Sequence, residues 1–280
     1  MKKKFFGTFK NTALIEQPID IMQNASFADT LLCTSLDIGK QMLKSGGEIH
    51  RVEDTINRIC HAYGAVHVEV FTITSLIVAS VRMEDGSYSS QVRRIYSSSN
   101  NLAKLERLNQ ISREICENTP PLDEVRRRIY SAKSVRPYPM WVQFLGSALA
   151  AGGFAVFFGG NCADGIAAAL IGIILMFIDI IRPSEINAMS HAVIKSFLAG
   201  TLAFAISDLC SYLQIASGTD KIMIGTIMLM IPGLAVGNAL RDLLCGDIIA
   251  GTLQLIQALL LAVMIAFGFA ISMLLFGGAA

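Results

Sequence analysis

The 280-residue chain is 53% apolar and only 16% charged, with a net charge of +1 and a mean hydropathy of +0.53. A soluble globular chain carries roughly a quarter charged residues, so this composition excludes an ordinary soluble protein. The absence of a basic patch interleaved with aromatics excludes a nucleic-acid partner. The dilution of charge is local: 19 of the 23 Lys and Arg, and 15 of the 22 Asp and Glu, precede residue 141.

The opening MKKKFFGTFKNTALIEQP is basic but has no apolar run of about 7–15 residues, so it does not read as a secretory signal. Residues 1–25 read as a flexible tail, and the soluble half that follows stays in the cytosol where it is made. Residues 26–45 predict an amphipathic helix, with Leu31, Leu32, Ile38, Met42 and Leu43 on one face. Ser45-Gly46-Gly47 breaks the chain, and 48–63 predict a second helix stopped by Gly64. Its apolar face is Ile49, Val52, Ile56, Ile59, Cys60 and Tyr63; its other side is charged. The period then changes from helical to alternating. AVHVEVFTI (65–73), SLIVASVRM (75–83) and YSSQVRRI (88–95) predict three strands, the last two joined by a turn at Glu84-Asp85-Gly86-Ser87. Helices are predicted again at 101–117 and 122–133. The expected domain, 26–136, is an α/β unit of order αα-βββ-αα.

Pro137-Tyr138-Pro139 marks a boundary, and Trp141 opens a membrane half, 137–280. The apolar runs 141–160, 164–181, 192–213, 221–240 and 251–276 each approach the roughly 20 residues needed to cross a hydrocarbon core. The expected fold class is therefore a polytopic α-helical membrane domain of about five transmembrane helices, preceded by a cytosolic α/β domain. Arg182, Lys195 and Arg241 fall in or beside the loops on the side of the soluble half, and Lys221 alone lies opposite. That bias predicts a cytoplasmic N-terminus and a C-terminus outside.

The six cysteines and four histidines form no C-x-x-C and no cluster at metal-ligand spacing. No metal or cofactor is expected, and the cysteines read as reduced packing residues. Neither a Walker A loop nor a G-x-G-x-x-G after a strand is present, which argues against ATP-driven transport by this chain. Acids in membrane segments are costly and mark a pathway or a packed partner. Asp164 and Asp179 read equally well as interfacial carboxylates or as functional groups; Asp208 lies deeper and reads as functional. In IPGLAVGNALRDLLCGDIIAG (231–251), Pro232 removes a backbone donor and Gly233 relaxes the chain, so the span should kink or unwind. Asn238 and Asp242 are four apart on one face, while Arg241 points about 100° away from Asp242. The acid and amide suit an ammonium group; freed amides or Arg241 suit a carboxylate. A kink leading into a solvated loop is the plain alternative. In the soluble half, Glu48, Arg51, Val52 and Glu53 sit at a helix start. Without a nucleophile–base pair, the acids there read first as partners of the helix dipole.

SGGEIHRVEDTINRICHAYG, VEVFTITSLIVAS, RPYPMWVQFLGSALAAGGFAVFFGGNCADG and IPGLAVGNALRDLLCGDIIAG, in that order, resemble the threonine/serine exporter (ThrE) family. The resemblance covers nearly the whole chain after residue 26. It implies a bacterial inner-membrane secondary exporter of small hydrophilic amino acids, driven by the proton motive force, and not an enzyme. Because the chain ends after its fifth span, it further implies the long half of a split, YjjP-type pair that needs a short polytopic partner. A homo-oligomer is also open. The family motif falls on Pro232, Gly233, Asn238, Asp242 and Gly246, and on Glu48 and Val52. Split members also suggest dicarboxylate export, such as succinate, as an alternative. An alternative of another class is a membrane-anchored enzyme or sensor acting through the cytosolic domain.

Overall fold

The computed structural model describes residues 26–96, 99–133, 138–181 and 186–277. The expected tail, Pro137 of the expected boundary, Arg182 and the last three residues lie outside the described residues. The chain divides into two compact units: Met1–Gly47 with Arg51–Ser134, and Glu48–His50 with Val135–Ala280.

In the first unit, α1 (Phe27–Lys44) and α2 (Ile49–Ala62) match the amphipathic spacing. Leu31, Leu32, Leu36, Val52 and Ile56 are fully buried between them. Gly39 is the contact point: a Cβ there would stand 2.6 Å from Ile56 Cδ1. Gly46 and Gly64 end the two helices with positive φ (86° and 87°), which L side chains rarely adopt. The strands β1 (Ala65–Ile73), β2 (Leu76–Met83) and β3 (Tyr88–Arg94) form an antiparallel meander in the order β1-β2-β3. The turn between β2 and β3 is fixed by Gly86 (φ 80°) and by the Ser87 amide, which donates to Asp85 Oδ1 at 2.8 Å. Hydrogen bonds from Ser87, first its side chain and then its amide, hold the Asp85 carboxyl below its usual range. Ile77, Ala79 and Val81 are buried on alternate positions of β2. The helices α3 (Leu102–Asn118), capped by Asn101 on the Lys104 amide, and α4 (Leu122–Lys133) complete the unit. Burial pushes the Cys60 thiol up to about 11, which makes it a packing residue that resists ionisation. All six cysteines are free.

In the second unit, α5 (Met140–Phe157), α6 (Cys162–Ile181), α7 (Ala188–Tyr212) and α10 (Ile248–Phe276) are each long and apolar enough to cross a membrane. A fifth span is made if α8 (Thr219–Met230) and α9 (Gly233–Leu244), bent by 51°, count as one. The chain is thus mostly helical with one small sheet, and helices occupy the five apolar runs with shifted ends. Helix α7 starts at Ala188, not 192, because the Asn187 side chain caps it on the Met189 amide and draws the polar first turn into the helix. The expected span 221–240 is two helices, and the second runs on to Leu244.

The packing is that of a protein in lipid. Large side chains such as Leu259, Val263, Phe267 and Leu274 face outward, while the interior is lined by Ala151, Ala155, Ala167, Ala168, Ala199 and Ala203. Small residues let backbones approach where lipid supplies no hydrophobic drive between helices. Gly152 lies so close to α6 that a Cβ would meet Gly165 O at 2.7 Å. The α7 pair Ser196/Gly200 meets the α10 pair Gly268/Ser272 in the same way: Cβ atoms on the two glycines would overlap the facing serine hydroxyls. At one end of the bundle Asp164 is a staple. Its Oδ2 accepts from the Asn161 amide at 2.9 Å and its Oδ1 from the Gly218 amide at 2.8 Å, joining two loops.

Candidate functional site

The break in the fourth span follows from two adjacent residues. Proline disfavours helical backbone in the residue before it, and Ile231 is extended (φ −61°, ψ 131°). Pro232 then occupies the N-cap of α9, and the Gly233 amide turns back onto Ile231 O at 2.8 Å. The ladder of α9 opens with the Val236 amide donating to Pro232 O at 3.1 Å. The expected interruption is therefore present, and α9 presents its amide-bearing N-terminus at the break.

On α9 the residues separate as the helical wheel predicts. Asp242 is fully buried and Arg241 is exposed. Asn238 is half-buried. No side chain hydrogen-bonds either carboxylate oxygen of Asp242; the backbone amides of His50 and Ile49, at the start of α2, are its hydrogen-bonding neighbours. Arg241 Nη1 donates to Glu48 Oε1 at 2.5 Å, and His50 Nδ1 lies 3.7 Å from Asp247 Oδ2. Within the second unit, then, Glu48–His50 lie against α9 and the turn after it, next to the buried acid. Gly251 of α10 closes the other side, where a Cβ would meet Ala239 O and the Leu243 amide within 3 Å. Gly246 holds the turn between α9 and α10 with φ 98°.

The other candidates are dispersed. Asp179 pairs with Lys195 Nζ at 2.5 Å and stands 3.9 Å from His191 Nδ1. Asp208, one turn before the end of α7, is exposed and makes no hydrogen bond or ion pair among the described residues. In the first unit, Val52 is buried in the core, and Glu53 accepts from the Thr72 amide at 2.6 Å, tying α2 to β1. Arg51 is exposed. No group of three His, Cys, Asp or Glu side chains that could hold a metal occurs among the described residues. Sequence reasoning missed Lys195 and His191 as partners of Asp179. The signal was available, since they lie four apart at the start of the helix that returns from Asp179. The Arg241–Glu48 contact, across 193 positions, carried none.

A bundle of apolar helices with one broken span, and with its ionisable groups gathered at helix breaks and ends, defines a polytopic membrane protein built for transport. The chain belongs to the threonine/serine exporter (ThrE) family, whose profile matches residues 34–276. It is 24% identical over 251 residues to the "Probable succinate transporter subunit YjjP" of Klebsiella aerogenes, covering 89% of this chain and 95% of that protein. It is 22% identical over 246 residues to the "Probable threonine/serine exporter" of Mycobacterium tuberculosis, covering 87% of this chain but only 46% of that protein. No solved structure matches.

Proposed function

We propose that this chain is one subunit of a secondary exporter of small hydrophilic amino acids, threonine and serine among them. It would work in the bacterial inner membrane with a short polytopic partner subunit. The observation that carries this reading is the buried Asp242 carboxylate, without a side-chain partner, ten residues past the Pro232 break. A buried acid of that kind is costly unless it binds something. The ammonium group of an amino acid, or a proton, satisfies it. Asp179, held by Lys195 beside His191, is the proton-coupling candidate, and exposed Asp208 stands ready for a partner helix.

The test is transport by proteoliposomes carrying the chain and its partner. Threonine counterflow is expected, and Asp179→Asn should keep counterflow while losing accumulation driven by a pH gradient. An exporter of amino acids is ruled out if no amino acid exchanges under either regime.

A dicarboxylate is the second reading, favoured by the printed function of the Klebsiella relative, which this chain matches over nearly its whole length. It calls on cationic and N–H donors, so losing Arg241 should then hurt transport more than losing Asp242 does. The membrane-anchored enzyme gains no support from the two acids of that stretch: Glu53 is occupied by Thr72 and Glu48 by Arg241.

The proposed orientation puts the N-terminal unit in the cytoplasm and the end of α10 outside. Two exposed native cysteines test it: Cys162, at the start of α6, and Cys245, between α9 and α10. In versions retaining one of these cysteines, a membrane-impermeant maleimide added to intact cells should label Cys162 and spare Cys245. Inverted vesicles should give the reverse, and labelling of both from one side would overturn the orientation. Cys60, buried and pushed up to about 11, should stay unlabelled in either preparation until the protein is denatured.

A further inference from the structure

The first unit holds a cleft of about 180 Å³ that the transport reading does not use. Its walls come from α2 (Arg51, Asp54, Thr55, Arg58) and α3 (Asn109, Ser112, Arg113, Cys116). Three guanidinium groups thus face one carboxylate. Arg58 Nε already donates to Asp54 Oδ1 at 2.8 Å, so that carboxylate is neutralised within its own helix. Arg51 and Arg113, one on each wall, make no hydrogen bond or ion pair among the described residues.

We propose that this cleft between α2 and α3 binds a small dianion, a dicarboxylate or a phosphate, clamped between Arg51 and Arg113. Guanidinium stays protonated at any physiological pH, and its planar fork matches carboxylate and phosphate oxygens with two parallel bonds. An anion carrying charge at two ends satisfies both walls at once, whereas a zwitterionic amino acid would leave its ammonium group facing arginine. Thr55 and Asn109 supply neutral donors beside the arginines. At the floor, Ser112 is buried with its hydroxyl turned back onto Asn109 O. Burial raises the Cys116 thiol from its ordinary value although Arg58 pulls it down, so the floor stays uncharged. Arg51 lies in the stretch that sequence reading singled out, and the broken span does not employ it.

The experiment is calorimetric titration of the purified full-length chain with succinate and, separately, with inorganic phosphate. Saturable binding of at least one is expected, and the tighter of the two identifies the ligand. Arg51→Gln/Arg113→Gln should weaken it by about tenfold or more per arginine. Both positions are exposed, so the ligand-free thermal midpoint should hold. Arg113→Lys, which keeps the charge but not the fork, should fall between wild type and the double variant, and it serves alone if the double variant misfolds. Arg82→Gln, at an exposed arginine of β2 outside the cleft, should bind as wild type does, which separates the clamp from a general loss of positive charge. The proposal is overturned if neither anion saturates, if the Arg51 and Arg113 variants bind like wild type, or if Arg82→Gln weakens binding as much as they do.

Discussion

Replacing Asp242 by Asn is expected to cut solute counterflow roughly ten- to a hundredfold without lowering the amount of folded protein in the membrane. The two halves of that expectation have one cause. Asp242 is fully buried and no side chain hydrogen-bonds its oxygens. A charged group in that setting costs the resting protein free energy, so neutralising it at constant shape should leave the thermal midpoint unchanged or raise it. What is lost is the charge-assisted bond to whatever occupies the site in transport, about 1.5–3 kcal/mol for each bond. A stability gain joined to an activity loss marks a functional acid; a structural acid would lose both together. Asn238→Ala, on the same face of α9, should lower counterflow less, because an amide contributes a neutral hydrogen bond. Arg241→Gln breaks the ion pair with Glu48, whose guanidinium end is 63% exposed, and such a pair contributes little to stability. If Asp242→Asn and Asn238→Ala both transport amino acids and dicarboxylates at wild-type rates with the partner supplied, the site lies elsewhere.

The elements of the first unit were legible because each one repeats its signal. Helix α2 shows Val52, Ile56 and Ile59 at helical spacing, and all three are buried. The change to alternation at Ala65 and the Asp85-Gly86 turn place the strands within a residue or so. The ends of the spans were less legible. An apolar run shows where lipid begins, whereas a helix ends where its caps and hydrogen bonds end. Helix α7 therefore keeps His191, which hydropathy assigns to a loop, and α9 keeps Arg241 and Asp242.

The break itself was readable, since proline and glycine act on the backbone wherever they fall. Which charges surround it was not. Arg241 and Glu48 come from distant parts of the chain, and nothing local in either segment encodes the other. The pairing of Asp179 with Lys195 was in between: one short hairpin brings them together, and the helical repeat of His191 and Lys195 aims both at the same neighbour.

Gly152→Leu is expected to destroy the folded bundle, whereas Gly153→Leu, one residue further along the same helix, should be tolerated. Both changes gain about 1 kcal/mol of helix propensity and the same apolar surface for lipid, so those effects cancel in the comparison. The difference is the neighbour. A Cβ on Gly152 would stand 2.7 Å from Gly165 O and 3.3 Å from Ala169 Cβ, and nothing lies within 4 Å of one on Gly153. The oxygen belongs to the backbone of α6 and cannot turn aside, so α5 and α6 must part, at a cost of about 3 kcal/mol. Parting them also draws α5 from α8, because Gly225 rests against Ala151 O and Ala155. Gly268→Leu should act alike on the other helix pair, where Val193 O and the Phe197 amide lie within 3 Å of the new Cβ. The readout is the monodisperse fraction and thermal midpoint in detergent: equal behaviour of Gly152→Leu and Gly153→Leu would mean that close backbone approach does not hold the bundle. Because lipid gives apolar side chains no reason to leave it, these small-residue contacts, and not the large outward-facing Leu and Phe, should dominate the stability of the membrane unit.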